Sequence, residues 1–188
     1  MDKNHHQKAF TLPELLVTMA ILIIVIGAVY LAYSLNQQAF REGENTAEIT
    51  QNGRVIIERL NREIRQAKEI AGNFPEVEES ATSTIIFEDG HSTTSYRYIR
   101  YFQPDNIVKR EILGYYFSGD VEETLVPWDA LPPEGQTLET KTLEADKVIG
   151  EWVNNLEFWG SEIINIALTL EKSGKTLYLE TKIFGRNL

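Results

Sequence analysis

Apolar and polar residues follow three rhythms in turn along this chain. From Leu15 to Tyr33 there is almost no alternation: LLVTMAILIIVIGAVYLAY is 19 residues in which only Thr18 is strongly polar, and a threonine hydroxyl can bond back to a carbonyl of its own helix. At ~1.5 Å per residue the run covers about 28 Å as a helix, close to the ~30 Å hydrocarbon core of a bilayer. The uncharged stretch continues to Phe40, 26 residues without Asp, Glu, Lys or Arg, and Ser34, Asn36 and Gln37 lead it out towards water. A buried core helix keeps a polar stripe and stops sooner. A secretory signal has an apolar region of roughly 7–15 residues closed by an A-x-A-like site, which this run lacks. The pattern predicts a membrane-spanning helix.

The second rhythm has the helical period. Ile49, Gly53, Ile56, Leu60, Ile64, Ala67 and Ala71 recur at steps of three and four, one face of an amphipathic helix. Arg54/Glu58 and Glu58/Arg62 stand at i,i+4 on a solvated face, and Gly43 and Gly53 are points where the helix could bend or fray. Gly72-Asn73-Phe74-Pro75 predicts its end, since glycine suits a left-handed cap and proline cannot continue the helix. Unbroken from Leu12 to Ala71, such a helix would be about 90 Å long. That length suits a subunit whose helix builds a larger assembly better than it suits a lone globular domain.

The third rhythm is that of strands. Thr84–Glu88 and Ser95–Phe102 flank Asp89-Gly90, a hairpin signature. Pro104-Asp105-Asn106 makes a further turn before a strand at 107–112. Residues 114–136 hold three of the six prolines and predict an irregular surface loop. Strands are expected at 155–159, 162–171 and 176–184, with Ser173-Gly174 turning the last two into a hairpin. Ile164, Ile166, Leu168 and Leu170 alternate strictly, as in a sheet with one face on a core, and that core is expected to be Ile56, Leu60 and Ile64. The fold class is therefore α+β: a long N-terminal helix, its first half transmembrane, packed against an antiparallel β-sheet domain. The segments are 1–9, a cytoplasmic leader; 10–40, the transmembrane helix; 41–71, its amphipathic continuation; and 72–188, an antiparallel β-sheet head with the irregular loop 114–136.

Composition sharpens this. The chain of 188 residues carries 18 Lys+Arg against 28 Asp+Glu, a formal charge of −10. Met1 to Phe40 contains two of each sign (Lys3, Lys8, Asp2, Glu14), so the whole imbalance belongs to Arg41 onward. Nucleic acid, which needs a basic face, is not an expected partner. There is no cysteine, which excludes disulfides and thiolate chemistry. The short polar Met1–Ala9, with Lys3 and Lys8, is expected to stay in the cytoplasm. Glu14 is the only charge between Lys8 and Arg41. A carboxylate within a membrane costs roughly 2.5–3.5 kcal/mol on insertion scales and marks a functional position; an interfacial glutamate favouring the helix dipole is the plainer alternative.

The segment Ala9-Phe10-Thr11-Leu12-Pro13-Glu14, followed by LLVTMAILIIV, resembles the N-terminal cleavage and methylation segment of the type IV pilin family, which includes type II secretion pseudopilins. The resemblance implies that a prepilin peptidase cuts between Ala9 and Phe10, and that the freed amine of Phe10 is N-methylated. It implies that Glu14 meets the N-terminal amine of a neighbouring subunit, setting register in a filament. Ala9 replaces the commoner glycine. Pro13 replaces Ile or Leu, and proline is tolerated in a helix's first turn. Less specifically, RLNREIRQAKEI (59–70) and YRY…IVKRE resemble PilW-like and J-type minor pilins, as do the chain's length, its lack of cysteine and a C-terminus near Arg186-Asn187. The implied partners are the prepilin peptidase, other major and minor pilins, the inner-membrane assembly platform and, before assembly, the lipid bilayer. The implied role is a structural subunit of a type IV pilus or of a secretion or competence pseudopilus. Its implied place is the inner membrane as a single pass with the head outside the cytoplasm.

Other constellations are weaker. His91 is the one histidine beyond the leader, in a turn where a solvated side chain is expected rather than a base. Asp2, His5 and His6 lie in the leader. Asp120, Glu122, Glu123 and Asp129 cluster in the loop without EF-hand spacing, so no metal or cofactor is expected. Aromatics gather at Tyr96, Tyr98, Tyr101 and Phe102, at Tyr115, Tyr116 and Phe117, and at Trp152, Phe158 and Trp159. Core packing is the expected role. Tyr96, Tyr98 and Arg100 on one strand face would otherwise suit single-stranded DNA. A membrane-anchored adhesin using loop 114–136, or a DNA-binding module presented by the β domain, is the competing function. A tethered enzyme has no constellation to support it, and none is expected.

Overall fold

The computed structural model describes residues 11–91 and 95–185. The chain resolves into two compact units, Met1–Glu44 and Asn45–Leu188. Helix α1, Leu12–Gln66, supplies all the described structure of the first unit and enters the second. The architecture is α+β and pilin-like: one long apolar N-terminal helix packed, through the part within the second unit, against antiparallel sheets.

The second unit contains two sheets rather than one. Strands β1 (Thr84–Glu88), β2 (Tyr98–Phe102), β3 (Ile107–Phe117) and β4 (Leu138–Glu151) form an antiparallel sheet in that order. Strands β5 (Val153–Trp159), β6 (Ile163–Lys172) and β7 (Lys175–Phe184) form the other. Between β4 and β5 the chain changes sheets over one residue, Trp152, held at φ 59°. A left-handed turn at a bulky residue is strained. Here Glu171 N–H donates to the Trp152 carbonyl at 2.8 Å and the Lys172 ammonium sits 3.9 Å from the indole centre. The expected hairpin at Ser173-Gly174 is present; both residues have positive φ (50° and 76°), which is what a two-residue type I′ turn demands. A paired bridge, Thr82 with Phe158, joins the sheets.

The helical stripe read from the sequence is the core. Ile49, Ile56, Leu60, Ile64 and Ala67 are buried in one cluster with Phe87, Ile99, Tyr101 and Val108 of the first sheet and Leu156, Phe158, Ile166 and Leu168 of the second. Gly53 is not a hinge: α1 runs through it, and a Cβ there would lie 2.6 Å from Leu179 Cδ1 and 3.1 Å from Leu170 Cδ1. Its lack of a side chain is what admits the second sheet.

Three expectations are corrected. The helix stops at Gln66, not Ala71. Residues 67–71 run extended along the free edge of β1, with Lys68 N–H donating to Glu88 O, Glu88 N–H to Glu69 O and Ala71 N–H to Ile86 O. A last helical turn is exchanged for ladder bonds that cover an otherwise unpaired edge, while Ala67 and Ala71 stay buried. The loop expected at 114–136 begins later, because β3 continues to Phe117 and pairs with β4, a strand not foreseen. Finally, neither i,i+4 pair of Glu58 forms; Arg59 Nε instead meets Glu63 Oε1 at 3.2 Å.

Glu63 is the polar centre of the head. Tyr101 Oη and Arg110 Nε both donate to its Oε2 at 2.8 Å. Burial and the Glu63 carboxylate push the Tyr101 hydroxyl far above the ordinary tyrosine range. On the opposite face of β2, Tyr98 is fully buried, edge-on to Tyr115 at 5.0 Å. Its hydroxyl accepts from Trp128 N–H at 3.0 Å, and burial raises its pKa to about 12.

Two outcomes follow for the chain in detergent solution. Gly53→Val is expected to lower the unfolding free energy by about 1–3 kcal/mol through overpacking, read as a reduced urea midpoint; Gly43→Val, with nothing within 4 Å of its Cβ position, should leave the midpoint nearly unchanged. Both tyrosines have folded pKa values above their unfolded value of ~10, so the stability they contribute is complete below pH ~10 and is lost as pH rises. The urea midpoint should therefore fall between pH ~10 and 12. Tyr98→Phe should flatten that decline; an unchanged slope in this variant would contradict the assignment.

Candidate functional site

Within the first unit, α1 is uncovered by any other described residue of that unit. Every residue from Leu15 to Phe40 is exposed, including Ile23 and Ile24 at about 70 % of their full surface. An apolar patch of that extent on a soluble monomer marks an interaction surface. The helix is long and apolar enough to cross a membrane by length and composition. Thr18, its one strongly polar residue before the exit, donates its hydroxyl to the Leu15 carbonyl at 2.8 Å, so it carries no unpaired donor into an apolar medium.

The motif sits at the helix's entrance. α1 begins at Leu12, and Thr11 O accepts from the N–H groups of Glu14 (3.1 Å) and Leu15 (3.2 Å). Pro13 is the second residue of the helix, where its missing N–H leaves no bond unmade. Glu14 is therefore in the first turn and exposed, one residue before the uncharged run. Its carboxylate has no partner among the described residues, and the helix dipole there favours a negative charge. Ala9 and Phe10, the expected cleavage and methylation positions, lie outside the described residues, as do Asp2, His5 and His6.

The other candidates are occupied by structural work. His91 is exposed in a turn, with Nδ1 2.8 Å from Asp89 Oδ1. Asp120 closes its own loop: its carboxylate accepts from Glu122 N–H and Thr124 N–H, both at 2.9 Å. With the Thr124 hydroxyl, these bonds hold it below the usual carboxylate range. Glu123 pairs with Lys141. Among the described residues no three His, Asp or Glu side chains gather as a metal site would need. The DNA-type platform does not assemble: Tyr98 is buried, and Arg100 is paired with Glu111 at 2.6 Å and stacked 4.4 Å from the Phe102 ring centre. Glu63 was the residue that composition and motif both passed over. The signal was available: it lies three residues after Leu60 and seven after Ile56, a charge inside the buried arc.

Set against known proteins, residues 4–30 match the family model of the prokaryotic N-terminal methylation motif. No curated protein and no solved structure matches the chain. The motif match, together with the long apolar helix, supports a type IV pilin-like family, a subunit processed by a prepilin peptidase, membrane-anchored and assembled with other pilins.

Proposed function

We propose that this chain is a minor pilin or pseudopilin, made with its N-terminus in the cytoplasm and held in the inner membrane by one span. Prepilin peptidase cleaves it between Ala9 and Phe10, and the new amine of Phe10 is methylated. The subunit then joins the tip or initiation complex of a type IV pilus or of a secretion or competence pseudopilus, in the manner of PilW-like or J-type subunits. The observation that carries this reading is the junction at Glu14: one carboxylate in the first turn of a helix whose next 26 residues are uncharged and wholly exposed.

The physics of that junction supports assembly rather than catalysis. A carboxylate and an ammonium brought together in an apolar medium offset each other's desolvation. A growing filament offers Glu14 such an ammonium on the neighbouring subunit's Phe10. The pairing rejects misregistered subunits, because each would leave one charge buried alone. Residues 15–40 supply non-directional packing and Glu14 supplies the register.

A second reading, a membrane-anchored binding module, draws on the loop 118–137, where Val121 and Leu131 are almost fully exposed. Cleavage and incorporation separate the two. Mass spectrometry of the protein from its own cells is expected to find N-methylated Phe10 at the mature terminus; an intact Met1 would defeat the pilin reading. Glu14→Ala is expected to be cleaved normally but recovered in sheared filaments at least ~tenfold less than wild type, as loss of a desolvated charge pair would give. Undiminished incorporation would remove Glu14 from assembly.

A further inference from the structure

β7 is paired on one side only. It meets β6 along Lys175–Phe184, and among the described residues nothing pairs with its other edge. An open edge presents a row of unpaired backbone donors and acceptors, which proteins ordinarily cover or blunt. Here the edge of β1 is covered by residues 67–71, whereas that of β7 borders a groove against the flank of α1. One part of the groove, about 300 Å³, has Ile57 and Leu179 in its wall; the other, about 580 Å³, has a wall that is half polar, and Glu58 and Thr181 line both.

The charges beside this groove are unusual for an acidic chain. Most other cations of the head are matched, Lys68 with Glu88, Lys109 with Asp146, Arg110 with Glu63 and Lys172 with Glu48, Arg97 being an exception. Arg54, Arg62, Arg65 and Lys182, which line the groove, have no ion-pair partner among the described residues and are exposed. Glu58 and Glu180 are the acids there. In a molecule with a charge of −10, four unmatched cations gathered around one groove, three from α1 and one from β7, are complementary to an acidic partner.

We infer that this groove accepts an extended, acidic polypeptide segment of a partner protein, added to β7 as an eighth strand. The backbone of the segment would satisfy the free edge. One set of alternate side chains would reach Ile57 and Leu179, and acidic groups would lie against Arg62, Arg65 and Lys182. An extended peptide fits better than a nucleic acid, because the edge offers main-chain hydrogen bonds and the wall is partly apolar. The inference is independent of cleavage and assembly, since every residue it uses lies between Arg54 and Lys182.

The test uses the full chain in detergent micelles and a fluorescent ten-residue peptide of alternating glutamate and valine, followed by anisotropy. Saturable binding is expected, with a lysine–valine peptide failing to bind. The double variant Arg62→Glu/Arg65→Glu, both exposed, should keep its circular dichroism spectrum and weaken binding roughly tenfold, as loss of two exposed pairs would give. N-methylating the peptide's amides should abolish binding for one alternate set and not for the other. Indifference to both methylations would overturn strand addition. Tighter, variant-sensitive binding of a single-stranded oligonucleotide would reassign the groove to nucleic acid. Self-association lost in the double variant would reassign the edge to a second copy of the chain.

Discussion

The head is organised by a helical stripe that no single sheet could cover. Ile49, Gly53, Ile56, Leu60 and Ile64 turn one arc of α1 inward, and that arc meets two separate sheets in one continuous apolar cluster. The first sheet contributes Phe87, Ile99, Tyr101 and Val108, and the second contributes Leu156, Phe158, Ile166 and Leu168. Much of the remaining local geometry serves this arrangement. The chain must leave one sheet and enter the other without unpaired backbone, and it does so at Trp152 with a strained φ. The helix must allow the second sheet close, and Gly53 does so by having no side chain. Gly150 plays the same part for the first sheet, since a Cβ there would meet Ile56.

Apolar packing alone would leave the helix free to rotate or slide against a surface of similar side chains. Glu63 removes that freedom. It meets Tyr101, Arg110 and Arg59 at 2.8–3.2 Å, and a shift by one residue would leave a largely buried guanidinium without its carboxylate. The net stability of such a cluster is small, because desolvation offsets much of the Coulombic attraction. Its larger effect is on alignment: one helix rotation brings Glu63 to both Tyr101 and Arg110, while Arg59, on the same helix, turns with it. The outer face of the first sheet is handled differently. There the loop after β3 lays Trp128 over Tyr98, with its indole N–H on Glu69 at 2.8 Å, so the aromatic strand face is a second small core and not a ligand platform.

How much of this could be read beforehand depended on whether local pattern and tertiary demand agreed. The stripe from Ile49 to Ile64 was legible, because an arc that faces a core repeats at the helical period. The β5–β7 meander was legible for the same reason, Ile164 to Leu170 having one face buried. β4 was not: Glu139, Thr140, Lys141 and Thr142 are all exposed on an edge strand with register shifts, so neither face imposes an apolar alternation. The end of α1 was misread because the cue at Gly72-Asn73-Phe74-Pro75 is local, whereas the competing force, the unpaired edge of β1, comes from residues fifteen to twenty positions later. At the N-terminus, the junction at Glu14 was visible in composition alone, while partners for that carboxylate belong to no residue described here.

The two units answer to different solvents, and this explains why averages over the chain mislead. The helix of the first unit has its apolar side chains exposed all round, and no rotation about its axis would bury them against itself. Such a helix is stable only where the medium is apolar or where other helices replace it. The second unit has the reverse composition, with −9 of the chain's −10 (the first unit's three cations and four acids leave −1) set around a closed core. Only the second unit is therefore a complete solution to its own surface in water: the first requires lipid or neighbours. A chain divided in this way can pass from membrane to assembly without refolding its head, because exchange of lipid for neighbouring helices changes only what covers residues 15–40. In the proposed assembly, Glu14 is the residue for which that exchange would not be neutral. Lipid offers its carboxylate nothing, whereas the proposed neighbour with its cationic amine would offer a partner, so a surface indifferent between lipid and protein would be biased towards protein by one charge.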